Sequence, residues 1–439
     1  MTHVGGGQTR AAPEGFRNPI KGDPAQEPMH KRERNEDHGR SIPFSQRGSG
    51  TALLPIMAAV FVAFLVIGIA MPVLPLHVHQ GLGLGTFLVG LVAGSQFAAA
   101  ILSRVWAGRR ADARGPKHTV IAGLAIAAGS GLLYLVSLSF IARPSISVTI
   151  LLLGRALLGV GESFIITGGQ SWALAILTTQ NTSKALAWVG SAMFGAFAVG
   201  APIGSALYAR YGFSAVALTT ILLPLATLLC IIPLRGVPSA VRAPAGLMKV
   251  VAVVWVPGLG AALSSIGFGA ITAFSALLFV SRGWAAWPAF TVFALTFILT
   301  RLFLGHLGDR FAAAKVALIC VLVEAAGLAL IWLAPWLSLA LTGAALTGFG
   351  YSLVYPGLGV EAVRLVPAQN RGLAMGAYTV FLDVALGFGT PALGLLADHA
   401  GLAAVFGAGM LASLGAAGTA AVLLSKSSAP RRSGALACP

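Results

Sequence analysis

The chain has 439 residues, 57% of them hydrophobic and only 10% charged, with a formal net charge of +16. Soluble domains carry charge on about a quarter of their residues. Here apolar runs of about twenty residues, each long enough to cross a bilayer core, recur along most of the length, which excludes a string of soluble domains. Runs such as LLPIMAAVFVAFLVIGIAMPVL do not alternate, which excludes a transmembrane β-barrel. The positive charge lies in tails and short turns without interleaved aromatics, which argues against a nucleic-acid partner.

Residues 1–48 are polar and mixed in charge, too long for the n-region of a signal peptide, and are expected to form a disordered cytoplasmic tail. Apolar segments follow at 51–76, 84–107, 117–140, 147–173, 183–208, 213–234, 249–281, 287–308, 314–334, 337–362, 371–397 and 401–425. The longest connection, RGVPSAVRAPAG, divides them six and six. The expected organisation is a bundle over 49–234, a cytoplasmic linker over 235–248, a second bundle over 249–425 and a cytoplasmic tail over 426–439. All but four of the 29 Lys and Arg (Arg143, Arg155, Arg210 and Arg282) fall in the tails or around the turns after even-numbered segments. That asymmetry places both termini in the cytoplasm. Cys230, Cys320 and Cys438 have no spacing suited to a metal site or a disulfide framework, and no cofactor is expected.

His77 and His79 follow the first segment and read as outer-surface residues, solvated or sensing pH. Gln96 in the second is a hydroxyl-binding candidate or packing glue, and Gln170 in the fourth is a second cavity candidate. GRRADARGPKH (108–118) puts a dense charge cluster between two segments. It reads as a topology anchor, and Gly108 and Gly115 read as glycines allowing close approach and positive φ in a tight connection. The fourth segment carries Arg155 and Glu162, seven apart and so two turns along one helix face. An ionised group at mid-bilayer costs about 2.5–3.5 kcal/mol or more and is functional by default. A carboxyl shielded from water holds its proton more readily, so Glu162 is a candidate proton carrier with Arg155 lining the same path. A structural carboxylate bound to Ser or Thr is the alternative. The fifth segment presents Gly195, Gly200, Pro202 and Gly204, suited to close helix packing or to a hinge. Of thirteen acids, Glu324 and Asp383 are the other deep candidates. Glu361 and Arg364, three apart, suggest a local ion pair.

The two halves repeat. SRVWAGRRAD (103–112) matches TRLFLGHLGD (300–309), aligning Arg104 with Arg301, Gly108 with Gly305 and Asp112 with Asp309. GRALLGVGES (154–163) matches GAALTGFGYS (343–352), and the same offset carries Gln180-Asn181 onto Gln369-Asn370 and Pro202 onto Pro391. Asp383 has Phe194 as its mate and breaks the symmetry. Two related six-helix halves around a midplane site are the architecture of alternating-access transporters.

GRRADARGPK resembles the signature between helices 2 and 3 of the major facilitator superfamily through Gly108, Asp112, Gly115 and Lys117. Ala113 replaces the usual basic residue, with Arg114 one place later; the second copy keeps Gly305, Asp309 and Arg310 but has Ala312 and Ala313 in place of the second glycine. Arg155, Gly159 and Gly161 are similar to the superfamily's Arg-x-x-x-Gly-x-Gly motif. GAFAVGAPIG resembles the antiporter Gly-Pro motif, with Ala201 in place of the glycine before Pro202. MPVLPLHVH and PAQNRGLAMGAY extend the likeness to the bacterial YhhS/YfcJ-type, sugar-efflux-like permease branch over about residues 50–425.

The resemblance implies an all-α membrane protein of twelve transmembrane helices in two pseudo-symmetric six-helix bundles. It implies a gating latch in which Asp112 and Asp309 meet helix N-termini of the opposite half near Asn181 and Asn370, each contact worth roughly 0.3–2 kcal/mol. It further implies a bacterial inner-membrane location, a monomer, and proton-coupled efflux of a small sugar-like or drug-like solute. Symport, uniport and a transporter-like receptor are the alternatives. No P-loop, His-Glu-x-x-His or Gly-x-Ser-x-Gly motif points to ATP or to an enzyme.

Overall fold

The computed structural model describes residues 49–176, 182–236, 247–366 and 371–428. The side chains of 49–53, 174–191, 194, 247–249, 308–309, 371–373 and 427–428 fall outside that description, as do the expected N-terminal tail and most of the linker. The described residues form twelve long helices: α1 (Ser49–Ala70), α2 (Thr86–Arg114), α3 (Pro116–Leu138), α4 (Pro144–Ile176), α5 (Thr182–Tyr211), α6 (Phe213–Ile231), α7 (Leu247–Ser281), α8 (Pro288–Leu304), α9 (Ala313–Leu333), α10 (Leu337–Arg364), α11 (Arg371–Ala400) and α12 (Leu402–Ser428). Val73–Leu76 and a π-helical turn, His77–Gly81, extend α1, and a short helix, Leu307–Arg310, follows α8. Ten of these spans are long and apolar enough to cross a membrane. The 17-residue α8 and the 30-residue α5 complete the twelve. Successive helices reverse direction, so one set of turns, including Gly115, shares the end where Ser49 enters. That end is called the near end, and the end holding Gly81–Thr86 the far end.

Several helix starts follow from proline. Pro116, Pro144 and Pro288 each open a helix, where a missing N–H costs nothing and φ is already helical. The expected turn at 108–118 is mostly helix, because α2 continues through Gly108 and the charged GRRADAR run to Arg114. Arg and Ala are good helix formers, and charge at a helix end reaches the headgroup region. Only Gly115, at φ 86°, reverses the chain, a conformation that other residues adopt at a cost. The repeat also survives in backbone geometry. Gly212 and Gly401 occupy matching turns with φ 72° and 84°.

Packing within and between the halves uses small residues. Gly200 and Gly204 of α5 lie against the backbone of Gly68 and Ile69 in α1, whereas a β-carbon at Gly195 would have room, meeting the Phe61 ring at 4.0 Å. α5 runs unbroken through Pro202. Between the halves α2 and α11 press together. A β-carbon at Gly94 would lie 2.6 Å from the Gly387 carbonyl oxygen, and Thr390 Oγ1 reaches the Gly90 carbonyl at 3.0 Å. On the other face of the core, Phe197 of α5 meets Phe290 of α8 at 5.8 Å between ring centroids.

The two glycines of the charged run respond oppositely to the same change. Gly115→Ala lowers thermal stability by an amount corresponding to about 1–2 kcal/mol. Gly108→Ala, in helical backbone with nothing within 4 Å of the new β-carbon, leaves it unchanged or raises it by up to about 1 kcal/mol. Unfolding of the purified variants in detergent, followed by tryptophan fluorescence, checks both.

Candidate functional site

Four polar side chains from three helices converge at the middle of the α2–α11 seam. Gly159 of α4 lies against the Gln96 carbonyl, with no room for a side chain, so α2 and α4 approach closely there. Gln96 Nε2 then donates to Glu162 Oε2 at 2.5 Å. Gln96 is fully buried and Glu162 half-buried. Two turns further along α2, Arg104 pairs with Asp383 of α11 and joins the two halves. The Asp383 side chain is 5% exposed and that of Arg104 27% exposed. Arg155, one turn before Gly159, is 3% exposed. It lines a cavity between α1, α2 and α7 whose walls include Met71, Leu74, Val89, Phe97 and Thr272.

The far end of the seam is closed by a contact that sequence reasoning missed. A helix leaves its first amides unpaired, and these attract negative charge. Asp398 of α11 supplies the acceptor for α2. Its Oδ1 accepts from the Thr86 amide at 2.8 Å, and its Oδ2 from the Phe87 amide at 3.0 Å. The Thr86 hydroxyl stands 2.6 Å from Asp398 Oδ1 and 2.8 Å from the Gly394 carbonyl, within donating distance of either. The near end is different. Beyond the Arg104–Asp383 pair, a side chain at Gly108 of α2 or Gly376 of α11 would meet nothing within 4 Å, and Asp112 is exposed. The seam is closed at the far end, while at the near end Gly108 and Gly376 face open space.

The expected site residues divide accordingly. The structure brings Gln96 and Glu162 together, and Asp383 joins Arg104, which the repeat had aligned with Arg301 but which had been assigned no role. Gln170 is half-buried and makes no hydrogen bond among the described residues. Asp112 has no hydrogen bond or ion pair among the described residues; the side chain of Asp309 lies outside them, and Arg310 is exposed. Lys117 is occupied elsewhere. Its Nζ donates to the Ile232 and Leu234 carbonyls at 2.7 and 2.5 Å, capping the end of α6, where a cation is favoured. Gly305 ends α8 with helical backbone.

His77 corrects the surface reading, because it is buried and stacked on Phe213 at 4.0 Å. Glu324 takes the structural alternative. Fully buried, it accepts from Ser264 at 2.6 Å and Ser413 at 3.2 Å, between α7, α9 and α12. Glu361 and Arg364 form their local pair at 2.9 Å. The signal for Asp398 was present in the sequence, as an acid at the last turn of an apolar segment.

Comparison with known proteins agrees with this architecture. The family profile described as Major Facilitator Superfamily matches residues 56–288 and 258–436. The chain is 44% identical over 363 residues to "Uncharacterized MFS-type transporter STM4428" of Salmonella typhimurium, covering 82% of this chain and 94% of that protein. It is 39% identical over 367 residues to "Uncharacterized MFS-type transporter YhhS" of Escherichia coli, covering 83% of this chain and 88% of that one. Among solved structures, a variant of the nucleoside transporter NupG superposes with a TM-score of 0.71 at 14% identity, over 85% of this chain and 99% of its own.

The Asp398 cap makes a direct prediction. An exposed charged cap is worth about 1 kcal/mol, so Asp398→Ala shifts the closed far end toward opening about fivefold. A cysteine at Val89, a buried position on the cavity wall, reports it. With Cys230, Cys320 and Cys438 replaced by serine, labelling by a membrane-impermeant thiol reagent accelerates by that factor over the Asp398 parent.

Proposed function

The chain belongs to the Major Facilitator Superfamily and is a multi-pass membrane transporter, and from that premise we propose that it exports a small organic solute by alternating access in exchange for protons. In this reading it works in the bacterial inner membrane as a monomer, with the near end and both termini on the cytoplasmic side. The observation that carries the reading is the seam between α2 and α11: closed at Thr86–Asp398, with open space at Gly108 and Gly376, and with charged groups between. This supports a carrier open at its near end, which in this reading is the cytoplasmic side.

Each charged group then has a task. Glu162, half-buried on Gln96, is the proton carrier. Asp383 couples protonation to shape. Its ionised carboxylate balances Arg104 across the halves, and neutralising it leaves a charge without its partner, which weakens the seam. When the near end closes, Asp112 and Asp309 cap helix starts of opposite halves, as Asp398 does at the far end. The two sets of caps alternate, each favouring one state by an amount small enough for a solute or a proton to outweigh. Gly200 and Gly204 hold α5 on α1 and keep that half rigid while it rocks. The export direction is supported by the likeness of the Pro202 region to the antiporter motif.

Substrate-induced proton movement in proteoliposomes, recorded over a panel of solutes, tests this function. The wild type moves protons with at least one solute. Glu162→Gln abolishes the proton signal while solute exchange down its own gradient continues. Proton movement unchanged in Glu162→Gln would remove Glu162 as the carrier, and solute flux without protons in either protein would contradict antiport.

A further inference from the structure

Arg155 lies eleven residues into the 33-residue α4, about 16 Å along the helix axis and so about a third of the way through it. A guanidinium does not give up its proton in a protein, and a charge at that depth persists only with a counter-charge or full hydrogen bonding. Among the described residues Arg155 makes no ion pair and is not fully hydrogen-bonded, and Glu162 acts on it only through space. Arg155 is 3% exposed, and its Nε and Nη1 are buried without a hydrogen-bond partner. The neighbouring Tyr134 hydroxyl, a phenol, supplies no charge.

The acids that sit deep in the described helices are each committed elsewhere. Glu162 is held by Gln96, Asp383 by Arg104, and Glu324 by Ser264 and Ser413. At the far end Asp398 caps α2. Arg155 also lines the cavity at the junction of the halves. Within that cavity Thr272 of α7 is the hydroxyl contributed by the second half, and Leu74, Val89, Val92 and Phe97 make the wall apolar.

We infer that the ligand of this cavity, which on the reading above is the transported solute, is a small organic anion whose carboxylate or phosphate group pairs with Arg155 while its apolar part rests on Leu74, Val89 and Phe97. A carboxylate or phosphate is the natural partner of a guanidinium. A neutral sugar would leave Arg155 without a counter-charge. The inference rests on the transport reading for its physiological meaning, but the anion site itself is separately testable.

The test uses the full chain, purified for thermal-shift binding and reconstituted for flux. Matched probes differ chiefly in charge: benzoate with benzamide, glucuronate with glucose, and glucose 6-phosphate with glucose. The expected result is that the anionic member of at least one pair raises the melting temperature and moves about tenfold or more faster than its neutral counterpart. The pair that responds separates carboxylate from phosphate recognition. Arg155→Gln reduces that preference by about tenfold or more. Arg155→Lys, which keeps the charge but not the planar fork, retains part of it and guards against misfolding of the first variant. Flux of neutral members without their anions, or an anion preference that survives in folded Arg155→Gln, overturns the anion site and leaves the transport reading intact. Arg155-dependent binding with no flux of any probe keeps the site and overturns transport. A panel silent in both measurements overturns the anion site.

Discussion

A helix that starts at a membrane surface exposes amides with no partner of their own, and here the missing acceptor for α2 comes from the other half of the molecule. Asp398 accepts from the Thr86 and Phe87 amides, and the close approach of Gly94 to Gly387 follows directly below it. That contact adds a polar tie to the close packing and the Arg104–Asp383 pair that hold the two halves in register. Lipid supplies no hydrophobic force between helices, so close packing and polar contacts decide association. The same seam then admits only small residues at its tight end and charged ones at its middle, where Arg104 and Asp383 bridge the halves.

Symmetry and its breaches have different meanings here. The repeated turns at Gly212 and Gly401 preserve the bundle. The mid-seam pair does not repeat, since the mate of Asp383 is Phe194 and Arg301, the mate of Arg104, lies over the Phe297 ring at 5.5 Å. A two-fold scaffold needs matched helices to rock, whereas coupling to a solute or a proton needs charge on one side of the pseudo-axis only. The polar centre is accordingly built from α2, α4 and α11, with an apolar cavity beside it.

The helices were legible because an apolar run of membrane length has few alternatives, and the repeat was legible because its offset carried glycines, Gln-Asn and proline together. The charged run at 108–114 misled the boundary. Its composition looks like a turn, but Arg and Ala continue a helix until Gly115 stops it. Pairings were not legible. Gln96 and Glu162 are 66 residues apart, and Arg104 and Asp383 are 279 apart, so no local pattern announces either. Lys117 matched a motif yet caps α6, because a lysine one turn from a helix end takes the nearest unpaired carbonyls. Arg155 was singled out from its depth and from its likeness to the Arg-x-x-x-Gly-x-Gly motif. That it forms no ion pair with a deep acid became visible only with the other pairs in place.

The central claim is that the two ends of the α2–α11 seam open in alternation. It is tested most directly by pulsed electron paramagnetic resonance on spin-label pairs at exposed positions, Phe87 with Leu395 at the far end and Arg109 with Gly376 at the near end, in protein reconstituted in lipid. The account predicts two populations at each end that shift oppositely, the far-end distance short whenever the near-end distance is long, with Asp398→Ala enriching the far-open population. A single unchanging distance at both ends, or both ends lengthening together, would contradict it.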